Sequence, residues 1–340
     1  MKSKIIKAFQ FIFFLLVGLV LLYFAFKGID MDSLMLQIRQ ANYGWVTLSV
    51  ACAVLALVFR AYRWRLLIEP LGEHPKVLNI FHAINVGYMA NFVFPRIGEI
   101  TRCGILNRTD RVPVDRLFGT VIVERIFDML MAVFLLCLIL MLRFDVVGNF
   151  IMQNIFNPFF ELLPGPAGIG LLIAIPVLIV VAFIVFYRIF KKQLSEISAF
   201  RKIRDLIKGI GNGIKSVYQI RSFGLFVTLN FFVFGMYFLQ TYIMFFALSS
   251  TSSLGLADAL FVLVLSSLSF VIPVQGGIGA YHWIVSMGLT IFGLTREEGM
   301  VYATISHSVT SIVMILLGAL SLIFVFYGRK RKNNPDYDED

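Results

Sequence analysis

Three ionisable residues lie within five positions of one apolar stretch: Glu124, Arg125 and Asp128. If that stretch crosses a bilayer from about Leu117, Asp128 lies about 17 Å in, near the midplane. A charged side chain there costs about 2.5–3.5 kcal/mol on insertion scales, so it persists only when paired or wet. Glu124 and Asp128 are a like-charge i,i+4 pair, which calls for a proton on one of them or a cation between them. Basic partners stand upstream in Arg96-Ile97-Gly98-Glu99-Ile100-Thr101-Arg102, where Arg96, Glu99 and Arg102 are spaced to share one helical face. Arg96 and Arg102 are the natural partners of the two acids, with Arg125 on a different side. Such a group either lines a charged cavity for a lipid head group or a proton, or is an ion-pair network pinning two segments together.

The elements that hold these residues must be membrane helices. The 340 residues are 59% hydrophobic and 15% charged, with a mean hydropathy of +0.85. Soluble domains run near 45–50% apolar and 25% charged. The formal charge of +10 does not point to nucleic acid, because the basic residues cluster at the ends of apolar blocks. Lys2, Lys4 and Lys7 precede the first block, nine Lys and Arg lie between Arg188 and Arg221, and Arg329 to Lys332 form a run. Cys52, Cys103 and Cys137 are scattered, with no metal spacing and no reason to expect a disulfide. The first apolar stretch, Phe9 to Phe26, is too long for a typical signal peptide and reads as a retained anchor helix.

At about 20 apolar residues per crossing, spans are expected at 8–26, 43–59, 117–142, 168–187, 223–248 and 299–327. Lys- and Arg-rich 1–7, 60–76, 96–116, 188–222 and 328–340 belong inside, whereas 27–42, 143–167 and 249–257 belong outside. Both flanks of the apolar stretch 77–94 are then cytoplasmic, so it must dip in and return. A second interrupted stretch, 258–292, behaves alike. The expected fold is an all-α integral membrane protein of about six full spans plus two re-entrant helical hairpins, both termini cytoplasmic.

The hairpins repeat. Phe92-Val93-Phe94-Pro95-Arg96-Ile97-Gly98-Glu99-Ile100 aligns without gaps on Phe270-Val271-Ile272-Pro273-Val274-Gln275-Gly276-Gly277-Ile278, and five of nine positions agree. The same shift carries 43–59 onto the start of 223–248 and 117–142 onto much of 299–327. Repeat one covers about 8–142 and repeat two about 168–327, each with three crossings and a hairpin. An odd number of crossings makes this an inverted-topology repeat, an architecture of many secondary transporters. Between the halves, 188–222 is a basic amphipathic cytoplasmic segment, suited to an anionic leaflet or to the protein's own base. The acidic end of 328–340 reads as a charged cytoplasmic tail.

The second hairpin offers Gln275, Gly276, Gly277, Tyr281 and His282, with exposed amides and a helix N-terminus suited to a phosphate, or simply to close packing. In the last span, Thr304, His307, Ser308 and Ser311 form a polar stripe, and His307 is a proton carrier or a helix-to-helix bond. Arg60, Arg63, Trp64 and Arg65 follow the second span and are expected at the interface, as anchors or in contact with lipid.

Four strings together resemble the transmembrane region of lysylphosphatidylglycerol synthases, the flippase-like domain family: Arg60 to Arg65, Phe94 to Arg102, Glu124 to Asp128 and Pro273 to Gly279. The resemblance covers about residues 8–327. Full-length bifunctional members join this region to a soluble aminoacyl-transferase domain and both make and move aminoacylated phosphatidylglycerol. The transferase domain is expected to be absent here, so what the resemblance implies is the translocating half, with no catalytic residue, cofactor or metal. Relatives are associated with glycolipid and polyprenyl-phosphate pathways. The preferred reading is a lipid flippase or transporter of the cytoplasmic membrane, its partners membrane lipids and, compatibly, a second copy. The alternatives are a non-transporting partner of a separate lipid-modifying synthase and a membrane-embedded lipid transferase, which leaves open whether the chain is an enzyme.

Overall fold

Apolar blocks punctuated by glycine, proline and capping residues become helices in the computed structural model, which describes residues 2–148, 152, 157 and 222–332. Among these residues there are helices and no strands. Helix α1 (Lys2–Phe26) stops at Gly28, whose φ of +82° places it in the left-handed region. Asp30 then caps α2 (Met31–Gln40), accepting from the Asp32 and Ser33 amides at 3.0 and 3.4 Å. The segment expected as an outer loop, 27–42, is thus largely helical, and α2 lies at 90° to α1.

Asn42 caps α3 (Tyr43–Ile68). This helix runs well past the expected end at 59, because Arg60, Arg63 and Trp64 are buried in the protein instead of reaching an interface. Next come α4 (Val77–Asn91) and α5 (Gly98–Asp110), folded on each other as a helical hairpin. Their closest approach is glycine on glycine: a Cβ on Gly98 would run into the Gly87 carbonyl oxygen. The turn is held by Asn91, whose Oδ1 accepts from the Gly98 amide at 2.7 Å. Arg96 sits in that turn with φ +62°, ahead of the helix, so the expected single face of Arg96, Glu99 and Arg102 keeps only the last two. Pro113 opens α6 (Val114–Leu142).

The second half begins with α7 (Phe223–Phe245), which packs along α3 more extensively than any other described pair. Ser49, Cys52, Ala53 and Ala56 of α3 are buried, the small residues that let membrane helices approach closely. A second hairpin follows, α8 (Leu256–Ser269) and α9 (Ala280–Leu289), and then the long α10 (Arg296–Lys332). Helix α10 ties the hairpins together: Gly299 crosses the Ser286 backbone of α9, and Gly318 crosses Asn85 and Met89 of α4. The order long, short, short, long of α3 to α6 recurs in α7 to α10, each start displaced by 179–182 residues (43 to 223, 77 to 256, 98 to 280, 114 to 296).

Four of the described helices are long and apolar enough to cross a membrane (α3, α6, α7 and α10), or five if the bent pair α1–α2 counts as one span. The outer faces of α6 and α10 leave Ile126, Leu130, Phe134, Ile315, Leu316 and Phe324 exposed, which suits a lipid solvent. Inside, one core gathers Leu57, Trp64, Ile80, Leu106, Leu117 and Phe226, and another gathers Phe245, Val262, Val285, Met300 and Tyr302. The expected span 168–187, nearly all of the amphipathic segment 188–222 and most of the tail lie outside the described residues.

Candidate functional site: a buried arginine and carboxylate cluster

Helices α3, α5, α6 and α7 enclose the charged residues. Glu124, fully buried on α6, takes Arg60 and Arg63 at one carboxylate oxygen, both at 2.8 Å, and Arg102 at the other, also at 2.8 Å. Asp128, one turn further on, meets Arg60 at 3.0 Å and Arg63 at 2.8 Å. The cation required between the two acids is therefore a pair of guanidinium groups from α3, placed three residues apart so that both face α6. Arg63 also donates to Asn230 Oδ1 of α7. Arg102 lies over the Trp64 ring at 4.4 Å, and the Trp64 indole donates to Thr120 at 2.9 Å. Arg125 forms the rim, reaching Glu99 at 3.1 Å and Asp128 at 3.3 Å.

Expectation and structure part at three points. Arg60, Arg63 and Trp64 do not contact lipid at the interface: they are buried at 4%, 0% and 0% exposure, because the two carboxylates draw the guanidinium groups inward. Arg65 alone of that set is half-exposed, and it pairs with Glu69 at 2.7 Å. Arg125 is not on a different side, since it closes the same cluster. Arg96 is not a partner of Glu124 or Asp128; its Nη2 donates to the Val271 carbonyl at 2.9 Å.

That bond brings the two hairpin turns together, as does Gly276, where a Cβ would run into the Phe92 ring. Helix α1 lies across both turns: Gln275 donates to the Phe11 carbonyl at 3.2 Å, Phe11 packs on Phe94, and Gly279 abuts the backbone of Gly18 and Leu22. Behind the second turn, His307 Nε2 donates to the Gly276 carbonyl at 2.9 Å, the His282 and His307 rings lie 4.8 Å apart, and Tyr281 bonds Ser306 at 3.1 Å. Gln275, Gly276, Gly277, Tyr281, His282 and His307 thus form a second group, none of them in ion-pair or hydrogen-bond contact with the arginines of the cluster. The His307 bond holds a glycine with φ of +58°, so His307→Phe is expected to loosen this turn, read as faster amide exchange at Gly276 and Gly277 with little change at Gly98.

Sequence reasoning overlooked Asn230, Thr120 and Tyr88, the last with Arg60 over its ring at 5.7 Å. A polar Asn inside the apolar run 223–248 was the available signal. Among the described residues no group of three or more His, Cys, Asp or Glu is placed to hold a metal.

A helical, multi-pass membrane protein with arginines buried against carboxylates is the class these features define. The chain belongs to the family described as Lysylphosphatidylglycerol synthase TM region, which matches residues 11–318. It is similar to a UPF0104 membrane protein of Methanocaldococcus jannaschii, 24% identical over 333 residues and covering 95% of each chain. No solved structure matches it.

Proposed function

We propose that this protein is a flippase-like transporter that carries a phospholipid or lipid-linked phosphate head group across the cytoplasmic membrane. In this reading the chain makes six crossings, the two hairpins are re-entrant, the halves are oppositely oriented and both termini are cytoplasmic. The recurrence of α3–α6 in α7–α10 supports two comparable halves, which supply two states for alternating access.

The observation that carries the proposal is an imbalance in the buried cluster. Three guanidinium groups, Arg60, Arg63 and Arg102, face two carboxylates, Glu124 and Asp128, an excess of one positive charge. The Nε atoms of all three arginines are buried without a hydrogen-bond partner. A buried donor left unmade costs about 1–3 kcal/mol, and a phosphate oxygen is the acceptor that arginine meets best, with charge and paired N–H groups together. Arg125 and Glu99, at the rim, are where α5 would part from α6 to admit the head group, while acyl chains stay in lipid. Closure then returns Glu124 to its three arginines.

The test is head-group movement in liposomes containing this protein alone. Wild type should move an anionic, aminoacylated or polyprenyl-phosphate lipid well above protein-free vesicles. Arg102→Gln, which removes the excess charge, should slow that movement about tenfold while the protein remains folded. Absence of movement for all three lipid classes under several ion gradients would overturn the proposal and favour a non-transporting partner of a separate synthase.

A further inference from the structure

Away from the cluster, α1, α9 and α10 enclose a groove of about 410 Å³, lined by Leu21, Phe24, Trp283 and Met287, with Lys27 and Arg296 at its end. We infer that this groove binds an anionic phospholipid, one acyl chain along the apolar wall and the phosphate between Lys27 and Arg296. The reading needs only that the chain spans a membrane, and it stands whether or not lipid is moved.

Charge complementarity selects the occupant. Neither cation has a carboxylate within ion-pair distance among the described residues. The nearby acids are engaged elsewhere: Glu297 accepts from Gln37 at 3.4 Å, Glu298 accepts from the Thr295 amide at 2.8 Å, and Asp30 caps α2. Arg296 is held in place from behind, its Nη2 donating to the Phe24 and Ala25 carbonyls at 2.8 and 3.2 Å. These carbonyls end α1, where a helix favours a cation. The Arg296 Nε is buried and has no acceptor. Lys27 extends from the end of the same helix and is exposed. Trp283, 44% exposed on the wall, is the residue type that settles at the head-group level of a bilayer.

The groove is set well apart from the cluster. Gln37 and Glu297 join α2 to the start of α10, and α3 begins only a few residues after Gln37. Arg60 comes 17 residues after Tyr43, about 25 Å further along α3.

Trp283 is the reporter. Trp64 is fully buried, so in a Trp45→Phe background Trp283 is the tryptophan that lipid can reach. Full-length protein is placed in vesicles with acyl-brominated phosphatidylglycerol or acyl-brominated phosphatidylcholine at equal mole fraction, and fluorescence quenching is titrated. Phosphatidylglycerol should quench at several-fold lower mole fraction. Lys27→Gln, which breaks no contact in the structure, should weaken that preference about fivefold, and adding Arg296→Gln should abolish it. Equal quenching by the two lipids, or a preference that survives both substitutions, would overturn the site. Because head-group movement is measured separately, failure of one proposal leaves the other standing.

Discussion

Glu124→Ala is expected to be the most damaging single substitution in the cluster, lowering stability by about 3–5 kcal/mol. The carboxylate accepts three arginines, and its removal leaves Arg60 and Arg63 with Asp128 alone and Arg102 with no carboxylate, all three buried. Asp128→Ala is expected to cost less. Its side chain is 15% exposed, against 0% for Glu124, and Arg125 at the rim can turn to solvent. The difference is measurable as thiol unmasking on heating in detergent, since Cys52 and Cys103 are buried. Cys137 is exposed and is replaced by Ser beforehand. Similar unfolding temperatures for the two variants would mean that Glu124 is not the centre of the network.

The second large effect concerns close approaches of backbone. Gly98→Val should prevent the first hairpin from closing, because the obstacle is the Gly87 carbonyl, which no neighbouring truncation can remove. Overpacking of this kind costs about 1–3 kcal/mol or more. Gly276→Ala meets the Phe92 ring instead, and it also carries a φ of +58° that L residues rarely adopt. Phe92→Ala should therefore rescue Gly276→Ala in part, leaving only the backbone strain, and should do nothing for Gly98→Val. Yield of folded protein and its unfolding temperature report both comparisons. Rescue of both glycine variants by Phe92→Ala would contradict the packing described.

Both predictions follow from one feature. The first hairpin is locked to α6 by charge, through Arg102 and Glu124, and touches the second hairpin at its turn, through Arg96 and Phe92. Any displacement of that hairpin must break a charged contact that is costly to leave open in lipid. In the proposed transport cycle the same contact is the one a phosphate replaces, so Arg102→Gln, unlike Glu124→Ala, is the cluster substitution expected to separate folding from the proposed lipid movement.

The sequence by itself determined the class and the parts list. An excess of apolar residues in long blocks requires helices in lipid, a Pro- and Gly-broken block requires a turn, and acids inside a span require cations. Each follows from local composition and the free energy of placing polar groups in hydrocarbon. Tertiary structure alone decided which cations answered. Arg60 and Arg63 stand at the end of an apolar run and resemble an interface anchor until α3 is seen to continue and to turn them toward α6. Arg96 shares helical spacing with Arg102, yet a left-handed backbone at that one position sends it to the other hairpin. Partner choice depends on helix rotation and on contacts between residues more than sixty positions apart, and spacing along one chain segment carries no information about either.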